Sequence, residues 1–283
     1  MKALRYLSQT THSVSAISLL LLAVLLPIAF LFTSGASAAT NPSLGDTATF
    51  GILSSTYTNT ASGTTIHGDL GYTTGPAVAP TVTATTYADT GIYSQAGIDQ
   101  GSALAELNSQ PCTFTFPAGA VDLATDTSHG AIGVYAPGVY CTTATSAASV
   151  GTAGITLTGN GTYIFRVNGA LTTVANSSVS FASGASACDV FWTPTAATTL
   201  GATSTFLGTD VDASGITIGS TVNWTGRALA FGGTVSTTSD TMTVPSCAST
   251  ATTTTTKSAT TTTTTVPTAT TSPTVPTPVR VTG

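Results

Sequence analysis

The feature that most constrains this chain is a repeat too short to fold alone. Leu200-Gly201 recurs as Ile218-Gly219, Phe206 as Trp224 and Gly208 as Gly226, each pair eighteen positions apart, and one more such step sets Met242 after Trp224. A unit of that size cannot bury its own apolar face, but copies stacked on one another can, which is how a solenoid reads in sequence. From Gly130 to Val244 the chain is a series of short Val, Ile, Leu, Phe and Thr segments broken by Gly and Asn. That pattern predicts many short strands, and so a mainly β, parallel β-solenoid with one turn per repeat.

Side chains alternate faces along a strand, so placing Leu200 and Phe206 inward fixes the phase. Reading one strand through both puts Gly201, Thr203 and Thr205 outward, followed in the next copies by Gly219, Thr221 and Asn223, and then by Thr237, Ser239 and Thr241. Leu171 inward in the preceding rung adds Thr172, Val174, Asn176 and Ser178, while Ala175, Ala202, Ser204 and Ser220 become small inward residues. Rungs about 4.8 Å apart, with residues two apart along a strand about 6.6 Å apart, turn such positions into a two-dimensional grid. Threonine is stiff at χ1, so each methyl and hydroxyl keeps a defined place without a large ordering cost on binding. A face of this kind holds a partly ordered water layer. The expected partner is therefore an ice crystal surface or ordered water, met by Thr172, Asn176, Ser178, Thr203, Thr205, Thr221, Asn223, Thr237, Ser239 and Thr241.

Charge narrows the alternatives. Charged residues are 6% of the sequence, and beyond the N-terminal segment the basic ones are Arg166, Arg227, Lys257 and Arg280, which leaves no cationic footprint for nucleic acid. A surface covered by Thr, Ser, Asn and Gly suits a neutral hydrogen-bonding partner instead. Asp122 with Asp126 and Asp210 with Asp212 are pairs of the sort that solenoid polysaccharide enzymes use, yet the scarcity of Arg and Lys argues against an anionic sugar, and no enzyme activity is expected. No metal site or cofactor is expected either, since calcium needs three or more oxygen ligands at set spacing. His67 reads as a loop or rung-end hydrogen bonder and His129 as an exposed turn residue. Arg166 and Arg227 read as carbonyl or salt-bridge contacts closing rungs, and Trp192 and Trp224 as core fillers. Sequons stand at Asn160, Asn176 and Asn223.

Lys2 and Arg5, an apolar stretch from Val14 to Phe32 and the small residues Ala36 to Ala39 form a signal peptide over residues 1–38, with an uncleaved anchor as the alternative. The mature chain is then secreted, extracellular or attached to the cell surface. Residues 42–247 form the solenoid domain, and from Ala248 to Gly283 the chain is almost only Thr, Ala, Ser, Pro and Val, a disordered tail that could link the domain to the cell envelope. Ile92, Ala96, Ala103 and Leu107 mark one face of a helix at about 87–109, stopped by Pro111 and weakened by Gly91, Gly97 and Gly101. Cys112, Cys141, Cys188 and Cys247 are an even set for an oxidising compartment, and pairing in order is expected, with Cys112 and Cys141 closing a loop worth about 3 to 4 kcal/mol. The domain is expected to be a monomer, its ends capped by Phe50 to Thr60 and by the last rung.

Several separated segments, taken in order, resemble the microbial ice-binding protein family. They are Leu44 to Phe50, Gly68-Asp69-Leu70-Gly71, Pro137 to Cys141, Tyr163-Ile164-Phe165, Ala187 to Trp192 and Gly226 to Ala230. The resemblance spans roughly Pro42 to Cys247. It implies a right-handed, discontinuous β-solenoid of triangular section with one long helix packed alongside, and ice binding through one flat face carrying a Thr, small, any, Thr or Asn pattern. Val174, Gly201 and Gly219 depart from that pattern. The rival reading is a cell-surface adhesin or structural domain without ice activity.

Overall fold

The computed structural model describes residues 38–247. The signal peptide and tail expectations fall on residues outside that range. The described residues to Ser246 belong to one compact unit. It is mainly β with one long helix, and every strand pairing in it is parallel. Among the described residues no helix is long and apolar enough to cross a membrane.

The eighteen-residue repeat is the rung. Leu200 pairs with Ile218, Phe206 with Trp224, Gly208 with Gly226 and Trp224 with Met242. Inside the coil the large side chains form a continuous ladder, from Tyr140 on Phe165, through Phe165 stacked on Trp192 at 4.3 Å, to Phe206 and Trp224. Both tryptophans are buried core fillers, as expected, and each satisfies its indole N–H on a carbonyl, Trp192 on Leu207 at 2.9 Å and Trp224 on Gly208 at 2.8 Å.

The strands of the described residues fall into three stacks, with the short one broken into a separate sheet. The first, here the long stack, runs through residues 56–59 of the strand Phe50–Asn59, residues 234–237 of Asn223–Thr237, Ile216–Ile218, residues 198–200 of Val190–Leu200, residues 171–173 of Tyr163–Thr173, Ala148–Val150 and Val121–Asp122. The second, the short stack, runs through Thr81–Val82, Thr65–His67, Thr241–Thr243, residues 223–225 and residues 205–207. A single bridge from Thr205 to Ser178 then leads to a separate sheet of Val179–Phe181, Ile155–Leu157 and Val134–Tyr135. The third stack lies under the helix Gly91–Ser109, where Tyr93, Ala96 and Leu107 pack on Phe50, Leu53, Val139, Ile164, Phe191, Val211 and Leu229.

The helix begins at Gly91 rather than near 87, because Thr90 caps it by accepting from Tyr93 N–H. Ala96, Ala103 and Leu107 are buried as expected, but Ile92 is 46% exposed and Tyr93 takes its place. Gly97 does more than weaken the helix. A Cβ there would stand 2.4 Å from the Phe231 ring, so the glycine is what lets the helix lie close on the sheet.

Rungs do not stack in chain order. The strand Phe50–Asn59 sits between the rung of Ala228 and Val235 and the rung of Leu70, and Thr241–Thr243 sits between Asn223 and Thr65. This corrects the expected capping, because residues 50–60 and the last rung are both interior. The outermost strands are instead Thr81–Val82 and Thr86–Ala88 at one end, and Phe114–Thr115, Val121–Asp122 and Val134–Tyr135 at the other. Docking of so distant a segment is what gives both neighbours of the C-terminal rungs a backbone partner.

Cys112 and Cys141 form a disulfide, and Cys188 and Cys247 are disulfide-bonded as well, so no cysteine is free. Arg166 donates to the Gln110 carbonyl at 2.9 Å and Arg227 donates through Nε to the Ala48 carbonyl at 2.9 Å, the carbonyl-closing role read from the sequence. Burial lowers the Arg227 pKa to about 10.

Candidate functional site

The ten residues singled out in the sequence do not share one face. The reason is a turn. Thr203 and Thr221 have φ of 58°, Ser239 58° and Asn176 61°, all in the left-handed region that non-glycine residues rarely enter. The chain therefore bends between Leu200 and Thr205 instead of running on as one strand. Residues before the bend belong to the long stack, those after it to the short stack, and Asn176, Thr203, Thr221 and Ser239 form a ladder along the corner between them.

This sorts the set. Thr172 lies on the long stack and Ser178, Thr205, Asn223 and Thr241 on the short stack. Thr237 is a correction, because it is fully buried inside the coil, where its hydroxyl meets Tyr57 Oη at 2.8 Å and Asn59 Oδ1 at 3.1 Å. Ser204 is buried as expected, while Ala175 and Ser220 are exposed at the bend.

The long stack carries an outward hydroxyl column of which the sequence reading names only Thr172. Thr58 pairs with Ser236, Ser236 with Thr217, Thr217 with Thr199, Thr199 with Thr172 and Thr172 with Ser149, one residue per rung over six consecutive rungs. Alternation holds throughout, since Tyr57, Val235, Ile216, Thr198, Leu171 and Ala148 face inward from the same strands. The signal was present, because Leu200 and Ile218 inward also put Thr199 and Thr217 outward. Asp122 pairs with Ser149 at the end of the column and accepts from the N–H groups of Ala124 and Gly151.

Beside this column the surface stays low. A Cβ on Gly201 would stand 2.4 Å from the Ala175 nitrogen and one on Gly219 2.6 Å from the Leu200 oxygen, so neighbouring rungs approach too closely there for any side chain. The glycines that supply no hydroxyl are thus required by the packing of the rungs. Val174, next to them, is 39% exposed. The hydroxyls of Thr172, Thr199 and Thr217 have no protein partner among the described residues, whereas Thr58 donates to Ser236 at 2.7 Å.

The ionisable groups lie elsewhere. Asp210 is an inner residue paired with Trp192 and Ala228, fully buried, and neither carboxylate oxygen has a hydrogen-bond partner. Burial, with the nearby Asp212 adding to it, pushes its pKa well above the ordinary carboxylate range. Asp212 is occupied by the N–H groups of Thr198 at 2.9 Å and Ser214 at 2.7 Å. His129, expected to be exposed, has its side chain almost entirely buried, its ring stacked on Tyr135 at 4.0 Å and its Nδ1 2.7 Å from Asp126. Phe114, Phe116 and Tyr140 surround it, so it closes the interior at one end of the coil. Burial raises the Asp126 pKa, but hydrogen bonds from His129 and Ser128 outweigh it and leave the pKa lowered. His67 ends a strand of the short stack and is exposed. Among the described residues no cluster of three or more His, Cys, Asp or Glu is placed to hold a metal ion.

Residues 52–243 match the family model described as ice-binding-like. No curated protein matches. Among solved structures, the crystal structure of an ice-binding protein from the Antarctic ascomycete Antarctomyces psychrotrophicus is 26% identical with a TM-score of 0.65, covering 74% of this chain and 100% of that one. An ice-binding protein from an Antarctic bacterium of the Flavobacteriaceae is 28% identical with a TM-score of 0.62, covering 75% of this chain and 49% of its own. This chain thus spans about half of that protein's length. An ice-binding protein from an Arctic yeast, at 20% identity and a TM-score of 0.61, shares the fold, covering 74% of this chain and 96% of that one.

Proposed function

Because this chain belongs to the ice-binding-like family, we propose that it adsorbs to ice through the outer face of the long stack and acts by that adsorption, not by catalysis. The observation that carries the reading is the unbroken column from Ser149 through Thr172, Thr199, Thr217 and Ser236 to Thr58. Each step along it is one rung, about 4.8 Å. The stiff χ1 of threonine holds methyl and hydroxyl in register, so the first water layer is ordered without a large entropic cost at binding. Among the described residues the helix packs on the third stack, and the sheet of this face is continuous where the short stack is interrupted at Ser178. On this reading the coil is right-handed and triangular in section, as in the resembled family. The protein is exported through cleavage near Ala38 or Ala39, residues 42–247 form the ice-binding domain, and the tail from 248 links it to the envelope or leaves it free. The domain works as a monomer with no cofactor.

The test is thermal hysteresis and ice recrystallisation inhibition of the mature chain beside a Thr199→Tyr, Thr217→Tyr variant whose circular dichroism and melting match the parent. Two phenol rings on adjacent rungs hold the crystal away from the column. We expect hysteresis to fall several-fold or more. Undiminished activity in the folded variant would reject this face, and an inactive parent would favour the adhesin reading.

A further inference from the structure

Asn160 and Asn168 each precede a glycine, and the fold treats them differently. An asparagine loses its amide when the backbone nitrogen of the next residue attacks its side-chain carbonyl carbon. Glycine leaves that nitrogen most approachable, since it has no Cβ to crowd the attack and reaches backbone angles closed to other residues. The other asparagines of the described residues, Asn41, Asn59, Asn108, Asn176 and Asn223, precede Pro, Thr, Ser, Ser and Trp. Proline has no N–H to give up, and the rest carry a side chain beside the attacking nitrogen.

Asn168 is held in place. It lies in the strand Tyr163–Thr173, where its Nδ2 donates to the Thr142 carbonyl at 2.7 Å and its backbone N–H to Thr142 Oγ1 at 2.8 Å. Its glycine is hemmed in as well, for a Cβ on Gly169 would stand 2.9 Å from the Ala147 nitrogen and from the Ser146 carbonyl. To react, the side chain must leave its bond and turn toward a nitrogen in packed backbone.

Asn160 is exposed, in the turn that leads from Ile155–Leu157 to Tyr163. Among the described residues neither its side-chain amide nor the Gly161 N–H has a hydrogen-bond partner. Gly161 has a φ of 141°, in the region that favours glycine. The flanks of the turn are tied down, with the Gly159 N–H donating to the Ser183 carbonyl at 2.9 Å and Thr162 Oγ1 to Asn41 Oδ1 at 2.7 Å. Only the reacting pair is left free to reach the geometry of attack.

We infer that Asn160 is a self-modification site, at which the folded chain converts asparagine to aspartate and isoaspartate. The Gly161 nitrogen gives up its proton and bonds to Asn160 Cγ, the bond from Cγ to Nδ2 breaks, and the amide group leaves as ammonia with a proton from water. Water then opens the resulting succinimide. Cleavage of the bond to Cγ restores the ordinary backbone with an aspartate, while cleavage of the bond to the main-chain carbonyl carbon leaves isoaspartate and one more methylene in the chain. Either product adds a negative charge to a chain of net charge -5. The turn joins the separate sheet to the third stack, so the hydroxyl column of the long stack is untouched and the inference stands apart from the ice-binding reading.

The experiment holds the folded mature chain, made in a host that adds no N-linked glycan, in warm, mildly alkaline buffer. Peptide masses and enzymatic methylation of isoaspartate follow each asparagine over time. Asn160 should convert at least about ten-fold faster than Asn168. In urea, where the fold no longer separates them, the two should convert at similar rates. Asn160→Gln should remove most of the isoaspartate from the folded protein while melting as the parent does. If Asn168 keeps pace with Asn160 in the folded chain, or if Asn160 keeps its amide there yet loses it in urea, the inference is overturned.

Discussion

In water an aspartate at neutral pH is charged, yet Asp210 stands in the interior between Trp192 and Ala228 with neither oxygen hydrogen-bonded. Burial raises its folded pKa well above the ordinary carboxylate value of 3.8. The folded state then holds its proton more tightly than the unfolded state does. Its contribution to stability is fully present below about pH 4 and is lost as pH rises toward the folded pKa. Asp240, raised by burial to about 6, contributes with the same sign between 3.8 and about 6. The parent should therefore lose unfolding free energy from about pH 4 upward. Asp210→Asn keeps the shape, removes the titration, and should raise stability at pH 7 to 8 by ~1 kcal/mol or more, about 2–4 °C in Tm. Urea melts of both proteins across that pH range check it, and identical pH slopes would contradict the assignment.

At the scale of the element, two glycines of the one helix make opposite predictions. Alanine is the better helix former by about 1 kcal/mol. At Gly101, where nothing stands within 4 Å of an added Cβ, Gly→Ala should stabilise by about 0.5–1 kcal/mol. At Gly97 the added methyl meets Phe231 at 2.4 Å, and the same change should destabilise by about 1–3 kcal/mol. Thermal melts of the two single variants give the comparison. The sequence announces the helix through the spacing of Ala96, Ala103 and Leu107, but not the role of Gly97, because propensity says nothing of what the sheet brings close. The same limit governs the candidate site. The rung repeat is legible since Phe206 and Trp224 must stack, and Trp192 and Trp224 are legible as core. The bend at Thr203 and Thr221 is not, for a threonine with φ of 58° looks like any strand threonine until the rung above fixes it. Alternation alone therefore predicts a single strand where two faces meet, and an outward Thr237 although its hydroxyl is bound to Tyr57 and Asn59 within.

For the molecule as a whole, the rungs at Ala228 to Thr243 depend on segments from the other end of the chain. Removing residues before Gly91 strips the partners from Ala228, Val235 and Thr241 and leaves parallel strand edges open across all three stacks. Open edges template further pairing. A chain beginning at Gly91 should emerge from size-exclusion chromatography as large assemblies, while the mature chain elutes as a monomer, and a monomeric truncated chain would mean that the N-terminal rungs are dispensable. Parallel pairing over such separations also makes folding slow, of the order of seconds, because loop closure precedes the contacts that reward it.

The insertion of Phe50–Asn59 into the middle of the stack bears on synthesis as well. A ribosome makes Ile52 and Thr65 long before their partners Ala228 and Thr241, with roughly 180 residues between Thr60 and Thr238. No nascent chain shorter than that can complete the coil. A translocation channel that accepts only unfolded polypeptide would therefore find this coil incomplete until Thr241 has been made.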